Sequence, residues 1–180
     1  VEKRGCDAED RSVALTFDDG FEDVHTEVLP LLAARGMKAT VFPIAAQIGG
    51  AWHDDVFGGT RHASKQQLRE MAELGIEIGS HTLTHADLTM LDDAALRHEL
   101  TESRRIIEDA VGVAVTALSF PYGSFNARVW RHAVEAGYRC GTVYRRSASA
   151  PPCVVPVWGA YLFDTPGDVH ARMRGVGRNA

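Results

Sequence analysis

Short apolar runs alternate along this chain with segments whose apolar residues recur at helical spacing, and that alternation restricts the fold more than any other feature. The runs at 12–16, 38–44, 76–79, 114–120, 138–143 and 154–158 read as buried strands. Between them, Val24, Val28, Leu31 and Leu32 set a helix over 22–35 that stops at Gly36, with Pro30 expected to kink or shorten it. Ser64 starts a helix that runs to Leu74 with Gly75 behind it, Asp92 caps a longer one to 111, and Asn126 caps one to 136. Residues 164–174 give a final helix, and 46–64, rich in Gly and Asp without a period, read as a long loop. Strand and helix in strict alternation predict a mostly parallel α/β domain, barrel-like or open, ringed by helices. The expected organisation is a lead-in at 1–11, one domain at 12–174 and a frayed tail at 175–180.

Charge and cysteine content narrow the function classes. A net charge of −5 without a basic run argues against a nucleic-acid surface. No stretch is apolar over membrane-spanning length. Three cysteines without CxxC spacing suggest neither a disulfide framework nor a thiolate zinc site. Cys140 and Cys153 could pair, but Cys140 in an apolar run reads as a buried thiol.

Three of the strand ends carry polar groups: Asp18-Asp19-Gly20, His81 with His85, and Pro121-Tyr122-Gly123. Each alone has an ordinary explanation: a turn or a helix cap for Asp-Asp-Gly, a turn for Pro-Tyr-Gly, and chance for two histidines four apart in a chain with eight. Together they matter, because the C-terminal ends of parallel strands converge on one face. Neighbouring side chains in a strand point to opposite faces, so Asp18 and Asp19 can share a site only if the chain bends, which Gly20 permits. A carboxylate with two imidazoles suits a divalent transition metal with an open coordination position. A second carboxylate can then act as general base toward a water acidified by the ion. The attacked carbonyl would need a backbone N–H for its developing oxyanion, which a Pro-Tyr-Gly turn could supply.

Thr16-Phe-Asp-Asp-Gly20, Ile76-Glu-Ile-Gly-Ser-His-Thr-Leu-Thr-His85 and Phe120-Pro-Tyr-Gly123, in this order, resemble the NodB-like polysaccharide deacetylases (carbohydrate esterase family four) over about residues 13–144. The resemblance implies a distorted (β/α) barrel that removes N-acetyl groups from N-acetylglucosamine-containing polymers or oligosaccharides, releasing acetate. It maps the general base to Asp18, the metal ligands to Asp19, His81 and His85, the oxyanion N–H to Tyr122, and a structural role beside the ligands to Thr82. Pro121 and Trp52 are the expected substrate contacts. The implied cofactor is a divalent transition ion, zinc first, with cobalt, nickel or iron(II) also suited. The resemblance leans toward the cell envelope as the compartment.

The chain departs from the family pattern twice. Where an arginine is usual two residues before the proline, it has Ser119, as in the branch acting on poly-N-acetylglucosamine. The late Leu-x-His motif has no clear match: His170 reads as a surface helix residue and His132 as structural. Leaving-group protonation is therefore unassigned, with Asp18 a candidate after it has taken the water's proton. Two other readings are a deacylase on a small or lipid-linked substrate and a catalytically silent carbohydrate-binding homologue. The cluster His53, Asp54, Asp55 and His62 reads as solvated loop in preference to a second metal site, and Trp158 and Tyr161 read as core in preference to sugar contacts.

Overall fold

The expected alternation becomes, among the described residues, six parallel strands and five α-helices: β1 (Leu15–Phe17), α1 (Leu29–Ala33), β2 (Ala39–Val41), α2 (Lys65–Glu73), β3 (Glu77–Ile78), α3 (Asp93–Val111), β4 (Ala117–Ser119), α4 (Ala127–Glu135), β5 (Cys140–Val143), β6 (Val154–Pro156) and α5 (Pro166–Met173). The computed structural model describes residues 13–51, 60–144, 151–160 and 163–173. The lead-in, the tail, Trp52, His53, Asp54, Asp55 and Tyr161 lie outside these ranges.

The strands form two three-stranded sheets, β1-β2-β3 and β4-β5-β6, every pair parallel. One bridge, Ser80 with Leu118, joins them. Spatial order therefore follows chain order from β1 to β6, the winding of a barrel and not of a doubly wound sheet, whose order reverses at a switch point. Among the described residues β1 and β6 are the two edges. Gly79 sits where the sheets meet. A methyl group there would run into the Phe42 ring and lie 3.0 Å from the carbonyl oxygen of Ala117.

Local signals fix most helix ends. Ser64 accepts from the Gln67 backbone while the Gln67 side chain accepts from the Ser64 N–H, a complete capping box. Asp92 accepts from Ala95 N–H and Asn126 from Val129 N–H, and Gly112 ends α3 in the left-handed conformation. The long helix α3 buries Leu96, Leu100, Ile107 and Ala110 along one face, against a core that includes Val41, Leu68, Leu118 and Val129.

The first helical segment differs from its expected form. Val24–Val28 is wound as a π-helix, and α-helix resumes over Leu29–Ala33. Pro30 has no N–H and its ring would meet the preceding turn, so it stands at the start of α1, where no intrahelical donor is needed. The strands are also shorter than expected: β2 ends at Val41, after which Phe42 N–H donates to Phe17 and Ile44 N–H to Asp19 across the strand ends. Trp158 is 57% exposed, so it is not the core residue its sequence setting suggests.

Gly79→Ala is expected to lower stability by about 1–3 kcal/mol, the range for forcing extra volume into a packed site. The urea midpoint reads this directly, and an unchanged midpoint would show that the junction between the sheets has slack.

Candidate active site

Beyond Phe17, the last residue of β1, the chain turns within two residues: Gly20 N–H donates back to the Asp18 carbonyl at 2.8 Å. Asp19 (φ 64°) and Gly20 (φ 70°) are both left-handed, which breaks the strand's alternation between the two aspartates. A side chain at Gly20 would also press on Pro43, whose Cα lies 2.7 Å from the Cβ position. Three outside groups pin the turn. Ile44 N–H and His62 Nδ1 reach the Asp19 carbonyl at 3.4 and 3.0 Å, and Ala63 N–H reaches the Gly20 carbonyl at 2.9 Å.

The histidines come from the segment after β3. Ser80 pairs with β4, and His81 follows, buried, with its Nδ1 2.8 Å from the Ser119 carbonyl. A carbonyl only accepts, so Nδ1 carries the proton and Nε2 presents a lone pair. Thr82 (φ 69°) and His85 (φ 66°) are left-handed, and the Thr82 hydroxyl accepts from His85 N–H at 3.1 Å. This coil returns His85 toward His81, with ring centroids 4.8 Å apart. Tyr122 Oη is 3.2 Å from His85 Nδ1.

The result is a convergence of acceptors. Asp19 Oδ1 is 3.6 Å from Nε2 of both His81 and His85, and the three candidate ligand atoms lie within 4.8 Å of one another. Those separations are too long for hydrogen bonds. Asp19 Oδ1 is also buried without a hydrogen-bond partner, as is Asp18 Oδ1. A carboxylate and two imidazoles converging at distances too long for hydrogen bonds suit a cation. Two ligands about 2.0–2.1 Å from a tetrahedral zinc stand roughly 3.3 Å apart, close to what is seen here. The residues present therefore fit a divalent ion.

Burial holds the His85 pKa below its usual value, and the neighbouring His81 adds to the effect; the Asp19 and Asp18 charges oppose it. His62 is lowered by burial as well, against the pull of the Asp19 carbonyl and carboxylate.

Other expected residues fall as follows. Tyr122 is 65% exposed in a left-handed turn (φ 59°), and Pro121 is buried at the start of that turn. Thr82 is fully buried beside the ligands. His132 is buried between Asp93 and Glu135, whereas His170 is exposed on α5. His62 is not part of a solvated loop: it is buried, stacks on Phe21 and holds the Asp19 turn. Motif and spacing do not single out Glu99, yet it belongs with these residues. It lies on α3 between Leu96 and Leu100, buried, and accepts hydrogen bonds from the segment carrying both histidines. The one signal for it in the sequence is a carboxylate placed directly before a core leucine. Cys140 and Cys153 are unbonded, and burial raises the Cys140 thiol.

The family model for polysaccharide deacetylases matches residues 6–141. A chitin deacetylase from Pestalotiopsis sp is 38% identical over 114 residues, covering 63% of this chain and 35% of the relative. A chitooligosaccharide deacetylase from Rhizobium leguminosarum bv. trifolii is 32% identical over 133 residues, covering 73% and 56%. Among solved structures, IcaB from Ammonifex degensii superposes with a TM-score of 0.70 at 21% identity, covering 92% of this chain and 73% of that one, which shows the shared fold. The chain spans about half the length of the curated relatives it matches.

A lowered pKa means that His85 stays neutral further into acid than an ordinary histidine, and that the unfolded chain takes up its proton first. NMR titration of the metal-free protein should place the His85 midpoint below 6.5. The fold should lose stability as pH falls through that window, with the loss complete below the folded-state midpoint. A midpoint at or above the ordinary value would contradict the described burial.

Proposed function

This chain belongs to the polysaccharide deacetylase family, and from that premise we propose that it hydrolyses the acetamide of N-acetylated amino-sugar units in a polysaccharide or oligosaccharide, giving acetate and a free amine. The observation that carries the proposal is the convergence of Asp19, His81 and His85 beside Asp18, with one possible ligand atom from each of the three within 4.8 Å of the others. The related chitin and chitooligosaccharide deacetylases support the substrate class.

Asp19, His81 and His85 would hold a divalent transition ion, zinc first, their one oxygen and two nitrogens also suiting cobalt, nickel or iron(II). Such an ion, when bound, polarises the amide carbonyl and acidifies a water. The chain's own groups do the rest. Asp18 takes the proton of the attacking water, its buried oxygen being free of competing donors. The left-handed turn at Tyr122 supports its backbone N–H as donor to the developing oxyanion. Pro121 fixes that turn from beneath. The Ser119 carbonyl holds the His81 ring by its Nδ1, which leaves Nε2 as the nitrogen turned toward Asp19. Asp18 then returns its proton to the departing amine nitrogen, since neither His132 nor His170 belongs to the cluster.

The test is acetate release from chito-oligosaccharides, poly-N-acetylglucosamine and peptidoglycan. Chelation should abolish release, and zinc or cobalt should restore it. Asp18→Asn should bind the ion as the wild type does and lose about 10²–10⁴-fold in kcat. Activity indifferent to chelation, or an active Asp18→Asn variant, would refute the assignment. Metal binding with no acetate from any polymer would leave a deacylase on a small or lipid-linked substrate or a silent carbohydrate-binding homologue.

A further inference from the structure

We propose that Glu99 is a positioning residue for the metal ligands: its carboxylate clamps the coil between His81 and His85 so that both Nε2 atoms face Asp19. The inference rests on the reading of Asp19, His81 and His85 as a metal site, and extends it to a residue outside the ligand cluster.

Glu99 projects from the buried face of α3 and is 7% exposed. Its Oε2 accepts from Leu83 N–H at 2.9 Å and from Thr84 N–H at 3.0 Å. Its Oε1 accepts from the Thr84 hydroxyl at 2.6 Å. Three donors from two consecutive residues therefore end on one carboxylate, and those residues are the middle of His81-Thr-Leu-Thr-His85. The coil is not a helix. It needs left-handed φ values at Thr82 and His85, a conformation that side-chain-bearing residues resist. Consecutive N–H groups in such a coil point to the same side, so one acceptor oxygen can take both.

The opposite side of the coil is held separately. The Thr82 and Leu83 carbonyls accept from Ala45 and Ala46 N–H at 3.0 and 2.9 Å. The segment is thus gripped from α3 on one side and from the turn after β2 on the other. No cation pairs with Glu99 among the described residues, so the coil's donors are its partners. Without the carboxylate, Leu83 and Thr84 lose their acceptor, and the residue with the most freedom to follow is His85, whose own N–H hangs on Thr82. His81 is fixed independently by Ser119. The clamp therefore acts mainly through His85.

Glutamine makes the idea testable. Its amide oxygen can take the Leu83 and Thr84 N–H groups, and its NH₂ can donate to the Thr84 hydroxyl, which reverses from donor to acceptor. Geometry is kept while charge is lost. Alanine removes both. Zinc and cobalt affinities of the metal-free wild type and of Glu99→Ala, Glu99→Gln and Thr84→Val would be measured by competition with a chromophoric chelator, alongside the visible spectrum of the cobalt form. Far-UV circular dichroism and thermal melting would establish that each variant is folded at the titration temperature.

The expected result is a 10–100-fold loss of metal affinity in Glu99→Ala, the range for removing an outer partner of a ligand. A shifted cobalt spectrum should accompany it, with only a few-fold loss in Glu99→Gln and in Thr84→Val. A folded Glu99→Ala that binds metal as tightly as the wild type overturns the proposal. If Glu99→Ala does not fold, Thr84→Val and Glu99→Gln decide the matter: affinity and spectrum both unchanged in Thr84→Val, or a 10-fold or greater loss in folded Glu99→Gln, overturns it. The first would show that the hydroxyl bond does not position the ligand, the second that charge, not hydrogen-bond geometry, is what the site needs. A wild type that binds neither ion removes the metal reading and this proposal with it.

Discussion

One backbone contact governs both halves of the structure. Ser80 N–H donates to the Ala117 carbonyl at 3.0 Å, and the Ser80 carbonyl accepts from Ser119 N–H at 2.9 Å. That exchange joins the two sheets, and it also delivers His81, the next residue, against the Ser119 carbonyl. A slip of one residue in this register would send His81 to the opposite face. The fold and the site therefore share one alignment, with Gly79 keeping the approach close enough to make it. The same contact explains why Ser119 is compatible with an ordered site. What His81 uses at position 119 is the carbonyl, which every residue has.

Around this seam, the candidate site is the most constrained part of the described backbone. Asp19, Thr82, His85 and Tyr122 are the non-glycine residues with positive φ among the described residues, and all four lie at the site. Each costs on the order of 1–2 kcal/mol relative to a right-handed conformation, so each must be held. His62 and Ile44 hold Asp19, the Thr82 hydroxyl and Glu99 hold the coil to His85, and the Gly123 N–H bond to Phe120 closes the turn at Tyr122. The anchors come from α3, from the segment ending at Ala63, and from the turn after β4, so the site draws on separated parts of the chain.

That separation explains what the sequence made legible. Helix ends at Ser64, Asp92 and Asn126 were readable because a cap and its partner lie within three residues. The parallel α/β class was readable from the alternation, which left barrel and open sheet undecided, and the ligand candidates from their places just past strands. Glu99 was hidden because its partners are 15 and 16 residues away and its own helix offers no local reason for a carboxylate. His62 was hidden because it follows a segment without periodicity. The π-turn before Pro30 shows the same limit: the proline announces a disturbance, but how the chain absorbs it depends on what packs there.

The four left-handed residues have a consequence for redesign. Glycine or asparagine would occupy these backbone conformations at lower cost, so a sequence chosen only for its ability to fold would carry them there. Aspartate, threonine, histidine and tyrosine stand at these positions instead. The backbone angles thus mark the place where local stability is given up, without reference to any ligand.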